Sequence, residues 1–158
     1  MLSWKTSLRN ALQPPLPGLK AQEKMAPSER LKRYNSSDTS EAIQSSVLIL
    51  LYPSDQGLKI PFIQRPLYQG PHSGQISLPG GKREKTDKDN WDTALRETRE
   101  ELGISTESVE YIGELTQIYI PNSHFHVSPQ VGYIHKNLRF NPSPFEVSEV
   151  IEPAPINY

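Results

Sequence analysis

The sequence predicts a mixed α/β domain in which helices pack on a sheet. Three observations lead to this prediction. Short apolar segments with Val and Ile, which are typical of strands, stand before and after one strongly patterned helix. The 15 prolines among 158 residues lie between these segments and indicate short elements with stiff connections, since average usage is about 5%. A chain of this length is also the size of one ordinary domain with a buried core.

The first part of the chain, residues 1–44, is predicted to be an N-terminal helix followed by a linker arm. Trp4, Leu8 and Leu12 recur at i, i+4 and i+8, which is a weak amphipathic pattern. The preferred interpretation is a surface helix that docks on the domain, and a helix that binds a membrane surface or a partner is the alternative. The run PPLPG at residues 14–18 cannot continue a helix and indicates an extended arm.

Residues 45–158 are predicted to form the main domain, whose sheet begins with a β-hairpin. The first strand and its antiparallel partner, residues 46–52 and 59–65, flank the turn PSDQG at residues 53–57. The other predicted strands cover residues 74–78, about 110–119 and about 126–135.

One helix is predicted over residues 91–102, after a polar loop. Gly103 stands where the C-terminal glycine of a helix belongs, and Ile104 can fold back onto the last turn. The side chains that can pack against the sheet are those of Ala94, Leu95, Thr98 and Leu102.

An acidic face is predicted on this helix. Glu97, Glu100 and Glu101 project from one side of the helix and repel one another. A hard divalent cation, which binds oxygen ligands, is the natural candidate to offset this repulsion. Arg96 lies four residues before Glu100 and can orient it. Such a run on its own is usually a solvated charged stripe with internal ion pairs. The preceding loop, residues 79–81 (PGG), changes this interpretation, because a glycine backbone carbonyl can approach a metal without obstruction.

Residues 81–104, GKREKTDKDNWDTALRETREELGI, resemble the Nudix box. In that box a glycine, five residues and an acid precede the pattern R-E-U-x-E-E-x-G-U, where U is aliphatic. Two positions differ from the pattern. Asp87 replaces the usual glutamate, and eight residues separate it from Arg96 where the box usually has seven. Thr98 replaces a larger aliphatic residue. Neither difference removes a glutamate from the acidic face.

Both differences are compatible with the coenzyme A pyrophosphatase branch of the Nudix hydrolase superfamily. Arg65 followed by HSGQISLPGG at residues 72–81 is similar to the extended motif of that branch, and so is PNSHFHVSP at residues 121–129. The similarity covers roughly residues 45–152. It implies a Nudix-type α/β/α sandwich with a mixed sheet.

The resemblance also implies a metal site for Mg²⁺ or Mn²⁺. Glu97 and Glu101 would be the principal ligands, and Gly81 would offer its backbone carbonyl. Glu100 would be a further ligand, or a base that acts through a metal-bound water. Arg96, Glu100 and Glu101 are therefore the catalytic candidates.

Other candidates lie outside the box. Arg65 and His72 are the substrate-binding candidates, although an ion pair for Arg65 and a loop-capping role for His72 are the structural alternatives. Glu146 or Glu149 could supply a further acid from a downstream loop.

Several aromatic and histidine residues have a functional and a structural interpretation. His124 and His126 alternate along a predicted strand and could hold zinc, but ordinary strand histidines are the default because no third ligand is near. Tyr111, Tyr119 and Phe125 could stack on an adenine, with core packing as the default.

The implied activity is hydrolysis of the pyrophosphate bond of coenzyme A or a CoA derivative to 4′-phosphopantetheine and adenosine 3′,5′-bisphosphate. One alternative is a pyrophosphatase for ADP-ribose, dinucleotides or modified nucleotides, and the other is a non-catalytic Nudix module that binds a nucleotide. The expected partner is therefore a small-molecule nucleoside diphosphate derivative. Degenerate modules tend to lose box glutamates, whereas this chain has all three.

Bulk properties exclude other function classes. A formal net charge of −1 creates no positive electrostatic potential that would attract nucleic acid or anionic lipid. The chain has no cysteine, which excludes thiolate metal sites and disulfides and fits a cytoplasmic location. The longest apolar run, residues 47–52, is far shorter than the roughly 20 residues of a membrane span.

The C-terminus ends within about ten residues of Glu149, where the resembling family usually continues with a strand and a helix. We expect either a truncated chain that lacks its C-terminal elements or an N-terminal helix that covers the same face of the sheet. Apolar surface left open by truncation would favour a homodimer.

Overall fold

The computed structural model describes residues 3–24, 41–69 and 72–156. Its helices are α1 (Trp4–Ala11), α2 (Leu19–Glu23) and α3 (Asn90–Leu102). Its strands are β1 (Ile43–Ser54), β2 (Gly57–Lys59), β3 (Phe62–Gln64), β4 (Ile76–Ser77), β5 (Gly80–Lys82), β6 (Glu110–Glu114), β7 (Ile118–Ile120), β8 (Phe125–Tyr133) and β9 (Glu149–Ile151). Most of the linker predicted before residue 45 lies outside the described residues.

A mixed sheet lies at the centre of the domain. Within the described residues it has six strands, with β2, β1, β8 and β6 in that order, β5 beside β1 and β7 beside β8. β1 and β8 run parallel, from the pair Ile43 and Phe125 to the pair Leu51 and Tyr133. The neighbouring pairs are antiparallel. The predicted mixed sheet is therefore confirmed.

The predicted hairpin of residues 46–52 and 59–65 is wrong in its second half. β1 turns back and pairs with β2, in which Lys59 lies opposite Tyr52. Pro61 lies two residues after Lys59 and has no N–H to donate to a ladder, so the pairing cannot continue. β3 instead joins a smaller antiparallel sheet, between β4 and β9.

Two other strand predictions need correction. The strand predicted over residues 74–78 is only Ile76–Ser77, because a turn at residues 72–74 places both His72 (φ 68°) and Gly74 (φ 66°) in the left-handed region. The segment predicted near 110–119 forms two strands, β6 and β7, that both pair with β8.

Helix α3 begins and ends close to the predicted residues. Asp89 caps its N-terminus, and the carboxylate accepts a hydrogen bond of 2.8 Å from the Asp92 N–H. Gly103 has φ 63°, and its N–H donates to the Arg99 carbonyl at 3.0 Å, which is the predicted glycine end. Ile104 is buried in the core, as the predicted fold-back requires.

Helices cover both faces of the mixed sheet. α3 packs on one face, where Leu48 and Leu50 of β1 contact a core that includes Leu102. α1 packs on the other face, where Trp4 and Leu8 join a second buried cluster. This second cluster contains Leu51, Leu58, Ile112, Val131 and Tyr133. The N-terminal helix therefore docks on the domain as predicted, and the layers form an α/β/α sandwich.

Helix length and hydropathy also bear on the membrane prediction. Over the residues that the structure describes, no helix combines the length and the apolar character needed to cross a bilayer.

Candidate active site

The three glutamates predicted to bind metal lie on one stretch of α3 but differ in their surroundings. The Glu101 side chain is only 4% exposed, and its Oε2 accepts a hydrogen bond of 2.8 Å from the Gly80 N–H. The Glu97 side chain is 17% exposed and the Glu100 side chain is 48% exposed. Two of the three acids therefore lie between α3 and the glycine loop, and only Glu100 is open to solvent.

Arg96 holds the two outer acids. Its Nη1 donates to Glu97 Oε1 at 2.9 Å and to Glu100 Oε2 at 3.0 Å. Its Nη2 donates to the Lys82 carbonyl oxygen at 3.0 Å. The contact between Arg96 and Glu100 that the helical spacing predicts is present, and the same guanidinium also ties α3 to β5.

Asp87 is a site residue to which sequence reasoning gave no role. Arg96 Nε and Nη2 donate to its two carboxylate oxygens at 2.9 and 3.0 Å. Asp87 also accepts from the Glu84 N–H at 2.9 Å and from the Thr93 hydroxyl at 3.0 Å. The Arg96 hydrogen bonds hold the pKa of this buried carboxyl well below its usual range. The signal in the sequence that could have identified Asp87 as a site residue was its position as the mid-loop acid of the Nudix box.

The glycine loop touches the acids because it has no side chains. A Cβ on Gly81 would lie 2.5 Å from the Glu97 carboxylate. A Cβ on Gly80, which has φ 155°, would lie 2.3 Å from the Ser46 carbonyl oxygen of β1. The backbone of this loop therefore approaches both β1 and the acidic face more closely than any other residue type allows.

Burial and mutual repulsion disfavour the charged forms of the acids at this interface. Burial raises the pKa of Glu101 to about 7 and also raises the pKa of Glu97. The negative charge of Glu146 raises both pKa values further. The Gly80 N–H and the positive charge of Arg65, whose Nη2 lies 3.7 Å from Glu101 Oε1, offset only part of the rise for Glu101.

The donor set fits a hard divalent cation. Carboxylate oxygens and a backbone carbonyl are the ligands that Mg²⁺ and Mn²⁺ prefer, and Glu97, Glu100, Glu101 and Gly81 offer them. Across residues 3–24, 41–69 and 72–156, no three His, Cys, Asp or Glu side chains are grouped closely enough to hold a metal as they stand. The glutamates are gathered, but each is bonded to Arg96 or to the Gly80 N–H.

A cavity of about 150 Å³ adjoins the acids on the other side of the glycine loop. Arg65 and His72, the two substrate-binding candidates, both line it. His72 Nδ1 lies 2.9 Å from Gln75 Oε1, and Gln75 also faces the cavity. The other lining residues are Ser45, Val47, Ser77, Leu78, Gly80, Gly81, Ile120, Ser123, Phe125 and Val127. Of these, only Gly81 and Phe125 were given individual roles from the sequence.

The two downstream acids have different positions. The segment after β8 returns to the end of α3, where the Ser143 N–H donates to the Glu101 carbonyl at 3.1 Å. Glu146 follows in the same turn, which explains why its charge acts on Glu97 and Glu101. Glu149 is an exposed residue of β9, opposite Gln64 in the small sheet.

The predicted strand position of His124 is wrong. His124 lies in the turn before β8 with φ 55°, and its Nδ1 is 3.1 Å from the Tyr119 hydroxyl. Only His126 is a strand residue, opposite Tyr119 of β7.

The three aromatic candidates do not form one stacking surface. Tyr119 is 1% exposed and belongs to the interior. Tyr111 packs edge-on against Trp91, with ring centroids 5.0 Å apart, and lines a separate cavity. Phe125 alone of the three lines the cavity beside the glycine loop.

Comparison with known proteins identifies the domain type. Residues 42–151, more than half of the chain, match the NUDIX domain family. The chain is 34% identical over 138 residues to Nudix hydrolase 15, mitochondrial, of Arabidopsis thaliana, which covers 85% of this chain and 46% of that protein. It is also 34% identical over 113 residues to the peroxisomal coenzyme A diphosphatase of Mus musculus, which covers 72% of this chain and 47% of that protein. The chain therefore spans about half the length of these relatives.

Solved structures share the fold. An Ap4A hydrolase of C. elegans superposes with a TM-score of 0.57 at 16% identity, covering 68% of this chain and 77% of that one. The NUDIX domain of Shewanella oneidensis NrtR, solved with ADP ribose, has a TM-score of 0.54 at 20% identity, with coverage of 81% and 82%. At these identities the likeness concerns the fold alone.

Proposed function

Because the chain belongs to the NUDIX domain family, we propose that it is a metal-dependent hydrolase that cleaves the pyrophosphate bond of coenzyme A or a CoA derivative. The products would be 4′-phosphopantetheine and adenosine 3′,5′-bisphosphate. The observation that supports this proposal is that the acidic face of α3 and a cavity lie on either side of the glycine loop. The backbone of Gly80 and Gly81 separates the acidic face of α3 from a cavity that Arg65 lines.

The chain's own residues have distinct roles in this proposal. Glu97, Glu100, Glu101 and the Gly81 carbonyl would hold the cation. Bound Mg²⁺ or Mn²⁺ would neutralise charge on the phosphate oxygens and lower the pKa of the attacking water. Arg96 would keep Glu97 and Glu100 oriented, since its Nη1 already bonds both.

Arg65 would position the pyrophosphate. Its guanidinium lies at the border between Glu101 and the cavity, so a substrate anion there would pair with it. His72 would contact the group that enters the cavity, and its left-handed backbone keeps the ring beside Gln75. The exposed carboxylate of Glu100 is the proposed base, acting through water.

The choice of coenzyme A rests on the stretch from Arg65 to Gly81 and on one relative. The relative named peroxisomal coenzyme A diphosphatase aligns with 72% of this chain. Hydrolysis of ADP-ribose, dinucleotides or modified nucleotides is the alternative within the same chemistry. Mitochondrial, chloroplastic and peroxisomal names all occur among the relatives. The cytoplasmic location stays a prediction from the cysteine-free sequence.

A substrate panel tests the proposal. We expect the chain, incubated with Mg²⁺, to release 4′-phosphopantetheine and adenosine 3′,5′-bisphosphate from CoA faster than it cleaves ADP-ribose or dinucleotides. Product analysis by chromatography distinguishes these reactions. If no adenosine 3′,5′-bisphosphate is released from CoA while another substrate is cleaved, coenzyme A is not the substrate and the cleaved compound takes its place in the proposal.

A pair of variants tests the role of the acidic face. Glu101→Gln keeps an acceptor for the Gly80 N–H, so we expect an intact fold but a loss of turnover of about a hundredfold or more. Glu107→Gln, an exposed acid beyond α3, should turn over at the native rate. If native and Glu101→Gln proteins both hydrolyse every substrate at background rate, the chain is a binding module and not an enzyme.

A further inference from the structure

Two serine hydroxyls in the cavity beside the glycine loop have no partner. Ser77 lies on β4 and Ser123 lies in the turn before β8, and both line the cavity. The Oγ atoms of both are buried, and neither makes a hydrogen bond to any described residue. Ser77 belongs to the small sheet, whereas Ser123 lies in a turn between two strands of the mixed sheet, 46 positions further along the chain, so no local turn explains them.

Such hydroxyls need an explanation. A buried donor or acceptor without a partner loses its hydration and gains nothing in return, and native proteins leave few of them. Thr98 has the third unpartnered side-chain oxygen among the described residues, but it lies on the core side of α3. Ser77 and Ser123 differ from Thr98 because a cavity lies beside them.

Both apolar and polar side chains line the cavity. The apolar lining residues are Val47, Leu78, Ile120, Phe125 and Val127. The polar lining residues are Arg65, His72, Gln75 and Ser45, in addition to the two serines. A ligand group that suits both kinds of lining is an aliphatic chain with hydrogen-bonding groups along it.

The size of the cavity limits what it can hold. Its volume of about 150 Å³ is half of the roughly 300 Å³ at which pockets for drug-sized ligands begin. One arm of a nucleoside diphosphate derivative fits this volume better than the whole molecule. Phe125 is the one phenyl ring among the lining residues, and no second flat ring other than the His72 imidazole is present to sandwich a base.

We propose that Ser77 and Ser123 bind the amide-bearing aliphatic arm of the substrate, which in coenzyme A is the pantetheine half. The hydroxyls hydrogen-bond to its amide groups, and the apolar lining residues pack on its methyl and methylene groups. Arg65 lines this cavity and also contacts Glu101, so the arm enters the cavity while the attached phosphates remain beside Arg65. This assignment rests on the proposed function, since it concerns which half of that substrate lies where.

Binding of the two product halves tests the assignment. Titration calorimetry in Mg²⁺ measures the affinity of 4′-phosphopantetheine and of adenosine 3′,5′-bisphosphate for the native chain, for Ser77→Ala and for Ser123→Ala. We expect each variant to bind 4′-phosphopantetheine about five- to tenfold more weakly, and the bisphosphate with unchanged affinity. Ser108→Ala, at an exposed serine after α3, is the matched control and should bind both like the native chain.

The variants also report on the fold. Removal of an unpartnered buried hydroxyl leaves no lost hydrogen bond, so both variants should melt at or above the native temperature. Weaker binding therefore cannot be attributed to unfolding. A lower melting temperature in both variants would mean that the hydroxyls serve the fold, which contradicts the proposal.

Several results overturn the assignment. Unchanged affinity of both variants for 4′-phosphopantetheine, or no affinity of the native chain for it, excludes the serines as contacts for this arm. A loss confined to the bisphosphate would place the adenosine half in the cavity. Native cleavage of CoA alongside any of these results would leave the proposed function intact, whereas failure to cleave CoA is failure of that function.

Discussion

Arg96 and Asp87 form a two-point ion pair across the loop that precedes α3. Nε and Nη2 of the guanidinium donate to the two oxygens of the Asp87 carboxylate at 2.9 and 3.0 Å. This pairing leaves Nη1 directed at Glu97 and Glu100. Asp87 is itself fixed by the Thr93 hydroxyl, so the orientation of the two acids depends on a residue that touches neither of them.

Replacing Asp87 by Asn should therefore weaken both the fold and the site. The substitution leaves Arg96, whose side chain is only 13% exposed, without its main counter-charge, which typically costs about 3 kcal/mol or more. We also expect turnover to fall about 10- to 100-fold, because Arg96 loses its fixed orientation. Urea unfolding and steady-state kinetics measure the two effects.

The matched variant for this prediction is Asp87→Glu. It keeps the charge but adds one methylene, in a loop that already has one residue more than the box usually has before Arg96. We expect intermediate stability and activity, since the longer side chain must shift the guanidinium. Native behaviour of Asp87→Asn in both measurements would show that Arg96 does not need this partner.

The sequence was a good guide to features set by local spacing. The limits of α3, its glycine end and the contact of Arg96 with Glu100 all follow from helix periodicity and capping. The hairpin prediction failed at Pro61, where one missing N–H redirects β3 to another sheet.

Features that depend on long-range contacts were not predictable from the sequence. Glu101 meets the Gly80 N–H from 21 residues away, and its pKa of about 7 results from burial that no local pattern shows. The presence of both Ser77 and Ser123 at one cavity likewise depends on the topology of two sheets. Spacing identifies which acids share a helix face, but only the fold determines which of them lose their water.

The two loop glycines should respond differently to Ala. In Gly81→Ala the new methyl meets the end of the Glu97 side chain, which can move away, so the fold should remain while metal affinity falls about tenfold or more. In Gly80→Ala the methyl meets the backbone of β1 at a φ of 155°, so we expect a loss of stability of about 2 kcal/mol or more. Mg²⁺ titration and thermal melts separate the two effects. Equal melting temperatures for the two variants would contradict this distinction.

A matched pair of buried threonines on α3 tests the effect of hydrogen bonding. Both are fully buried, but the Thr93 hydroxyl donates to Asp87 whereas the Thr98 hydroxyl has no partner among the described residues. Thr98→Val should therefore raise the free energy of unfolding, by about 1 kcal/mol, because it removes an unsatisfied group at constant shape. Thr93→Val should lower it by about 1–3 kcal/mol. Denaturant unfolding measures the free energy of unfolding of both variants. Destabilisation by Thr98→Val would contradict the prediction, because it would mean that the Thr98 hydroxyl has a hydrogen-bond partner.

The docking of α1 should depend on pH through Glu110. Hydrogen bonds from Arg9 and Lys5 lower the pKa of Glu110 from 4.5 to about 2. A carboxyl with a lowered pKa stabilises the fold fully above its unfolded value and loses this effect as the pH falls, so the contribution should disappear between pH 4.5 and 2. Glu110→Gln should cost about 1 kcal/mol at pH 7 and flatten the pH dependence in that window. Urea unfolding at several pH values measures this, with Glu107→Gln as an exposed control. An equal slope for native and Glu110→Gln proteins below pH 4.5 would mean that these ion pairs do not hold α1 in place.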